Sequence, residues 1–466
     1  MAERIGFCTA RQRSLAQRKI TIISPTRSDF YLTSILLAST SAKRRPIPFN
    51  VMAYTHQDSP SDSPDPATLP PLPLPPGVTS RFVDTTPHSL VFHILESLPS
   101  NLNPIPNTKP PLILLCHGFP EIAYSWRKIL PLLSAQGYHA VAFDQRGFGR
   151  THSRHPLTST SFSPITLIRD AVTLVHALGY DKVTCIVGHD FGAVTATFCS
   201  LARPDMFRRL VLMSHPTKGP PSLPLNISPS YGAPSPPPPT RPDMQKALGE
   251  LPDRPRKHYK WYYCTAPSNE EMTYPTGQAL HEFLRGYFHL KSGDWDGNSP
   301  HALTGWTASE LAKMPRYYIM DKDDDMRRAI ARDMAEEDPK VVAERSRRWL
   351  PDDELAVYAG EYGRTSFQGG LNWYRIQTQP DIAGEMEVWS GAKIRVPTVF
   401  VAGKRDWGTF QEPGAVEAME QAKSVKSGMY KGTVLVDGAG HWVNQEQPER
   451  CVQEVLRLIE DTPDQG

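Results

Sequence analysis

The sequence predicts an α/β fold: a mostly parallel sheet flanked by helices, with a helical domain inserted ahead of the last strands. Three observations carry this. Apolar runs of strand length, each ending in a loop, recur at 111–118, 139–145, 183–190 and 208–215, with helix-length stretches between them. These runs do not alternate with polar residues, as expected of strands buried on both faces, and strand–helix alternation builds a parallel sheet. The pattern breaks over 240–385, which is charged, helical in period and rich in Tyr and Trp, then resumes at 396–406 and 432–441.

In chain order, residues 1–78 read as a disordered leader and a Pro-rich linker. The first fifty residues carry nine basic residues (Arg4, Arg11, Arg13, Arg18, Lys19, Arg27, Lys43, Arg44, Arg45) against Glu3 and Asp29. That bias is shared by mitochondrial transit peptides; an unstructured leader, or a true start at Met52, explains it as well. Residues 59–77 have linker composition. Residues 80–85 and 89–95 read as a starting strand pair, so the core comprises 79–216 and 388–466. The inserted domain, 217–387, begins in a second Pro-rich segment, 216–242, which contains the sequon at Asn226. The closing stretch PERCVQEVLRLIED reads as an amphipathic helix. An insertion so placed is positioned to act as a lid.

Charge is balanced, with 51 Lys+Arg against 49 Asp+Glu, which gives no electrostatic reason to expect nucleic acid. No apolar run reaches the roughly 18 residues a membrane span requires. The six cysteines, Cys8, Cys116, Cys185, Cys199, Cys264 and Cys451, form no CxxC pair and no metal-ligand spacing. No metal is expected, and a reducing, cytoplasmic location is the natural reading, with mitochondria as the alternative. Nothing in the composition decides for or against a homodimer.

The chemistry centres on Gly188-His189-Asp190-Phe191-Gly192, which follows an apolar run and opens a helix of small residues. Small residues two positions either side of the centre permit a sharp strand–turn–helix bend that lifts the central side chain above the sheet edge. Asp190 occupies that centre. Its carboxylate is ionised at neutral pH without help from a base. Attack on an ester or amide would yield a reactive anhydride, whereas attack on an sp³ carbon bearing a leaving group yields a stable alkyl ester. Asp at this position is also a common helix N-cap, which is the competing reading. His189 reads as a structural neighbour.

With this elbow the chain resembles the α/β-hydrolase superfamily, and within it the soluble epoxide hydrolase and dehalogenase branch. The resemblance covers 80–215 and 355–455 and is thin across 216–350. It implies a catalytic histidine after the last strand, matched by His441 in Gly438-Ala439-Gly440-His441-Trp442. An acid after the preceding strand would orient it, matched by Asp406 in AGKRDWG. Taken singly, His441 and Asp406 could be loop residues; the order nucleophile, acid, histidine is that of the fold. His117-Gly118-Phe119-Pro120 resembles the family's HGxP loop, which assigns an oxyanion hole to the backbone N–H groups of Phe119 and Phe191. His117, Pro120, Trp126 and Tyr263 are assigned to the substrate side. Asp144, Arg146 and Gly149 in DQRGFGRT read as loop structure and substrate-side wall. GFGRTH is no dinucleotide fingerprint, since the third glycine is missing.

The leaving group distinguishes epoxide from halide. An epoxide oxygen leaves as a basic alkoxide and needs a donor still protonated at neutral pH, a role that suits Tyr. FQGGLNWYR (367–375) resembles the lid segment of epoxide hydrolases, with Tyr374 at the proton-donor position. The second donor belongs in HYKWYYCT. Tyr259 matches best, with Tyr262 and Tyr263 one turn on and on the same helix face. Any one of these tyrosines could instead be apolar lining. Haloalkane dehalogenases carry Trp where Phe191 stands, and no Arg clamp adjoins Asp190. The expectation is therefore an epoxide hydrolase converting an epoxide and water to a vicinal diol, without cofactor. A dehalogenase and a non-catalytic small-ligand receptor remain the alternatives.

Overall fold

The computed structural model describes residues 65–100, 109–221 and 243–463. The basic leader, Met52, and Asn226 with most of the central Pro-rich segment lie outside them. The main sheet runs β1 (Thr79–Asp84), β2 (Leu90–Ser97), β4 (His139–Phe143), β3 (Leu112–Cys116), β6 (Cys185–His189), β7 (Leu210–Met213), β10 (Thr398–Gly403), β11 (Tyr430–Val436), and a short β5 (His152–Ser153) pairs with β2. β1 and β2 form an antiparallel pair and β2 joins β4 antiparallel; from β4 to β11 every pairing is parallel.

The uninterrupted apolar runs follow from burial on both faces. Along β3, Ile113 and Leu115 enter one core cluster while Leu112, Leu114 and Cys116 enter the other. Side chains point alternately up and down a strand, so a strand covered on both sides has no polar register. Two helices show how the covering layers form. In α1 (Pro164–Ala177), Ser163 caps the Thr166 N–H and Pro164 sits at the first helical position. In the closing helix α8 (Pro448–Asp461), Cys451, Val452, Val455 and Leu458 are buried. That three-to-four spacing makes one apolar stripe, and each such aliphatic side chain stabilises by about 1.5–3 kcal/mol. Val455→Asp would place an unpaired charge in that stripe.

Part of the stretch read as linker is docked on the core. Tyr124 donates to the Pro73 carbonyl at 2.9 Å and Ser97 to that of Gly77 at 2.9 Å. Leu72 and Leu74 pack against the core. Prolines have no N–H to satisfy, so such a strand can lie on an apolar surface without entering a sheet.

Between β7 and β10 the described residues add no strand to the main sheet. It forms helices and one two-stranded ribbon, β8 (Arg256–His258) with β9 (Ile319–Asp321). The helices that matter for the site are α3 (Tyr259–Tyr262), α4 (Gln278–Lys291), α5 (Asp352–Thr365) and α6 (Gln368–Thr378). Among the described residues no helix is long and apolar enough to cross a membrane.

Candidate functional site

β6 ends at His189, and helix α2 (Phe191–Ala202) starts two residues later. Asp190 alone makes the turn, at φ +50°, a left-handed backbone that costs a non-glycine residue about 1–3 kcal/mol. The bend depends on its glycines: a Cβ on Gly192 would lie 2.1 Å from the Cys116 carbonyl oxygen, and one on Gly188 2.2 Å from that of Gly192. The Asp190 side chain makes no capping hydrogen bond to α2, which removes the N-cap reading. Instead its Oδ1 accepts the Phe119 N–H at 3.0 Å. Phe191 opens α2, so its N–H is among those a helix leaves without an intrahelical partner.

His441 lies just past β11. Its Nδ1 is 3.0 Å from Asp406 Oδ1, and its Nε2 stands 3.3 Å from Asp190 Oδ2 without the alignment of a hydrogen bond. Asp406 Oδ1 also accepts the Gly408 N–H at 2.6 Å, which fixes the carboxylate. With Asp406 accepting, Nδ1 carries the proton and Nε2 is left as the basic nitrogen. Burial, the largest influence on Asp190, would raise its pKa. The His441 imidazole, Lys291 and His189 outweigh it and hold the carboxyl well below the usual range.

Over the carboxylate lies a packed set of aromatic rings. Tyr374 has ring centroids 5.5 Å from Phe119, 5.5 Å from Phe191, 5.8 Å from Tyr259 and 4.8 Å from Tyr263. Burial first, and the Asp190 charge second, push Tyr374 and Tyr259 well above the ordinary phenol pKa, so both stay protonated. Among the described residues the Tyr374 hydroxyl has no hydrogen-bond partner, whereas Tyr259 donates to Gln411 Oε1 at 3.1 Å. Tyr262 and Tyr263 do not share a face in the way the helical spacing suggested. Tyr263 meets Tyr287 at 3.1 Å, but Tyr262 turns away to Glu271 at 2.7 Å. Four residues on, a side chain is rotated about 40° from Tyr259; three residues on, about 60° the other way.

His117 is bound up between its own loop and Gln145. Its Nε2 accepts the Gln145 N–H at 3.1 Å, so Nδ1 donates to the Gly118 carbonyl, and its ring packs on Phe148. Fully buried with both nitrogens engaged, it braces the loop. Pro120 is buried in the same loop. Trp126 is fully enclosed, and no hydrogen bond or ring contact among the described residues joins it to Asp190 or the tyrosines. Asp144 and Arg146 are likewise scaffold, not wall. Asp144 takes His93 Nδ1 and the Ala123 N–H, both at 2.7 Å, and Arg146 grips Asp170 with two nitrogens at 2.7 and 2.6 Å.

Three groups at the site were not anticipated. Glu121 holds His189 in a fully buried pair directly behind Asp190. Burial alone would lower the His189 pKa, but Glu121 and Asp190 push it up to about 9. Lys291 is 2% exposed, with no ion pair or hydrogen bond to its ammonium among the described residues. Its Nζ lies 4.7 Å from the Tyr318 ring centroid and 5.1–5.7 Å from those of Tyr287, Trp442 and Tyr317. Rings at such distances can hold a desolvated cation. Glu446 reaches back under the histidine loop. Only the HGFPE run and the residue before Asp190 hinted at any of these.

Residues 111–259 match the family described as the alpha/beta hydrolase fold. Epoxide hydrolase A of Mycobacterium tuberculosis is 30% identical over 75% of this chain and 90% of its own length. Epoxide hydrolase 2 of Siraitia grosvenorii is 30% identical over 75% and 91%. A solved epoxide hydrolase from an endophytic Streptomyces superposes with a TM-score of 0.57 at 26% identity, covering 83% of this chain and 96% of that one. At 30% identity to relatives that it spans to nine tenths of their length, the chain belongs to the epoxide hydrolase family of the α/β-hydrolase fold.

Proposed function

We propose that the protein hydrolyses an epoxide to a vicinal diol through an alkyl ester on Asp190. The observation that carries this is the placement of one ionised carboxylate between a backbone donor and an imidazole. Phe119 N–H lies 3.0 Å from Oδ1 and His441 Nε2 3.3 Å from Oδ2, under a roof of protonated tyrosines.

In the first step Asp190 attacks an epoxide carbon and the C–O bond of the ring breaks. Tyr374, with Tyr259 as second donor, gives its proton to the departing oxygen. In the second step His441, oriented by Asp406, takes a proton from water, and the hydroxide adds to the ester carbon of Asp190. The N–H groups of Phe119 and Phe191 stabilise the oxyanion. Collapse releases the diol, restores the carboxylate and returns the protons. No cofactor enters the scheme. Tyr263 lines the substrate side, and the inserted segment serves as the lid. The five described cysteines are all unbridged, which supports a cytoplasmic setting.

A single turnover in ¹⁸O water tests the covalent path. The first diol should carry unlabelled oxygen from the enzyme, and the label should appear in Asp190. Solvent oxygen in that first diol would overturn the scheme. A dehalogenase reading predicts that Tyr374→Phe leaves turnover intact.

A further inference from the structure

The histidine loop is seamed to the end of the cap helix α4, backbone against backbone. An α-helix leaves its last carbonyls without intrahelical partners. Here the loop supplies two of them: His441 N–H donates to the Lys291 carbonyl at 2.8 Å, and Trp442 Nε1–H to that of Phe288 at 2.8 Å. The acid's loop joins the same seam, since Arg405 N–H donates to the Ala439 carbonyl at 3.1 Å and its Nη1 to that of Gly293 at 3.0 Å. The approach admits no side chain. A Cβ on Gly440 would lie 2.3 Å from the Ser292 carbonyl carbon, and one on Gly293 2.8 Å from that of Ala439.

One side chain ties this seam together. The single turn α7 (Val443–Glu446) carries Glu446 back beneath the loop that precedes it. Its carboxylate accepts N–H groups from the two residues flanking the histidine, Gly440 at 3.1 Å and Trp442 at 3.0 Å. It also accepts that of Gly293, just past α4, at 2.7 Å. We propose that Glu446 is the positioning residue for the base His441, holding it against the C-terminal end of the cap helix α4. Burial pushes the Glu446 pKa up to about 8 against the pull of these three N–H donors, and a carboxamide in its place would turn its NH₂ towards an N–H. The base is thereby set by the cap as well as by the core, and any opening of the lid must pivot elsewhere than at Lys291–Gly293.

This rests on His441 serving as base, and its consequence is confined to the second step. Asp190 attacks without His441 abstracting a proton, so kcat/KM, which reports alkylation, and kcat, which reports ester hydrolysis, should part company. In Glu446→Gln we expect kcat to fall about 10–100-fold with kcat/KM within about twofold, and the intact mass of the quenched enzyme to show alkylated protein accumulating. Gly293→Ala, which forces the seam apart from the other side, should show the same split and decides the matter if Glu446→Gln does not fold. Equal losses in kcat and kcat/KM, or no loss in either, with no ester accumulating, would overturn the proposal. If the wild type itself forms no alkyl-enzyme under the same quench, the covalent reading fails instead.

Discussion

His189 Nδ1 and Glu121 Oε2 lie 2.6 Å apart with neither side chain exposed, one residue before Asp190. The same carboxylate oxygen accepts the Gly118 N–H at 2.9 Å, and His189 Nε2–H reaches the His441 carbonyl at 2.6 Å. The pair therefore joins the His117–Pro120 loop, the Asp190 turn and the loop that carries His441.

Because His189 is raised to about 9 in the fold, against about 6.5 unfolded, the native state binds its proton more tightly. That stability is complete below about pH 6.5 and is lost as pH rises through about 9. Thermal unfolding from pH 6 to 10 should show the decline in the wild type. Glu121→Gln should lose about 3–5 kcal/mol at pH 6, and its profile should be flatter across that window. Parallel profiles would show that the pair does not titrate there.

Removing the base should stall the reaction halfway. His441→Gln is expected to take up one equivalent of epoxide and hold it as an ester, seen as a gain in intact mass equal to the substrate. Asp406→Asn should lower kcat by about 10⁴, because the amide no longer selects the tautomer with a free Nε2. Full turnover in either variant would remove them from the scheme.

The two tyrosines should not weigh equally. The Tyr374 hydroxyl has no hydrogen-bond partner among the described residues, while Tyr259 must release Gln411 before it can donate. Tyr374→Phe is expected to slow epoxide opening by about 10²–10⁴-fold, with Tyr259→Phe towards the lower end, in single-turnover rates. If Tyr374→Phe slowed displacement of an alkyl halide just as much, the hydroxyl's role would be steric and not that of an acid.

Lys291 contributes to holding Asp190 ionised and has no counter-ion among the described residues. Lys291→Met should therefore move the acid limb of the kcat/KM profile to higher pH, because the carboxyl regains protons sooner. Lys291→Arg should keep the limb in place. An unmoved limb in the Met variant would leave the cation without electrostatic influence on the nucleophile.

What could be read from the sequence was local in origin. PLILLC announces a strand buried on both faces, and Gly188-His189-Asp190-Phe191-Gly192 announces a bend, because steric limits act within a few residues. The β8–β9 ribbon was invisible: Arg256–His258 carries neither alternation nor β-branched residues, and its pairing with Ile319–Asp321 is made across 60 or more residues. His117 shows the other limit. A histidine that opens an HGxP run looks functional until the Gln145 N–H is found on its ring. The hydroxyl partners Gln411, Glu271 and Tyr287 decide how the three clustered tyrosines differ; Gln411 is distant in sequence from Tyr259, and even the nearer Glu271 and Tyr287 lie on other helices. Lys291 and Glu446 escaped notice because a lone charge acquires meaning only from what surrounds it.

The hydrogen bond from Phe119 to Asp190 breaks the symmetry of a group that is symmetric on paper. Oδ1 is tethered, and Oδ2 faces the imidazole. On the proposed path the untethered oxygen makes the new bond to carbon and departs with the diol, while the tethered one becomes the ester carbonyl and stays. An enzyme cycled repeatedly in heavy water-oxygen should then exchange one oxygen per turnover in a fixed rotation if the carboxylate turns over between cycles. If it does not turn, only the Oδ2 position would be renewed. The isotope count at Asp190 after many cycles thus records whether the side chain flips while the site is empty.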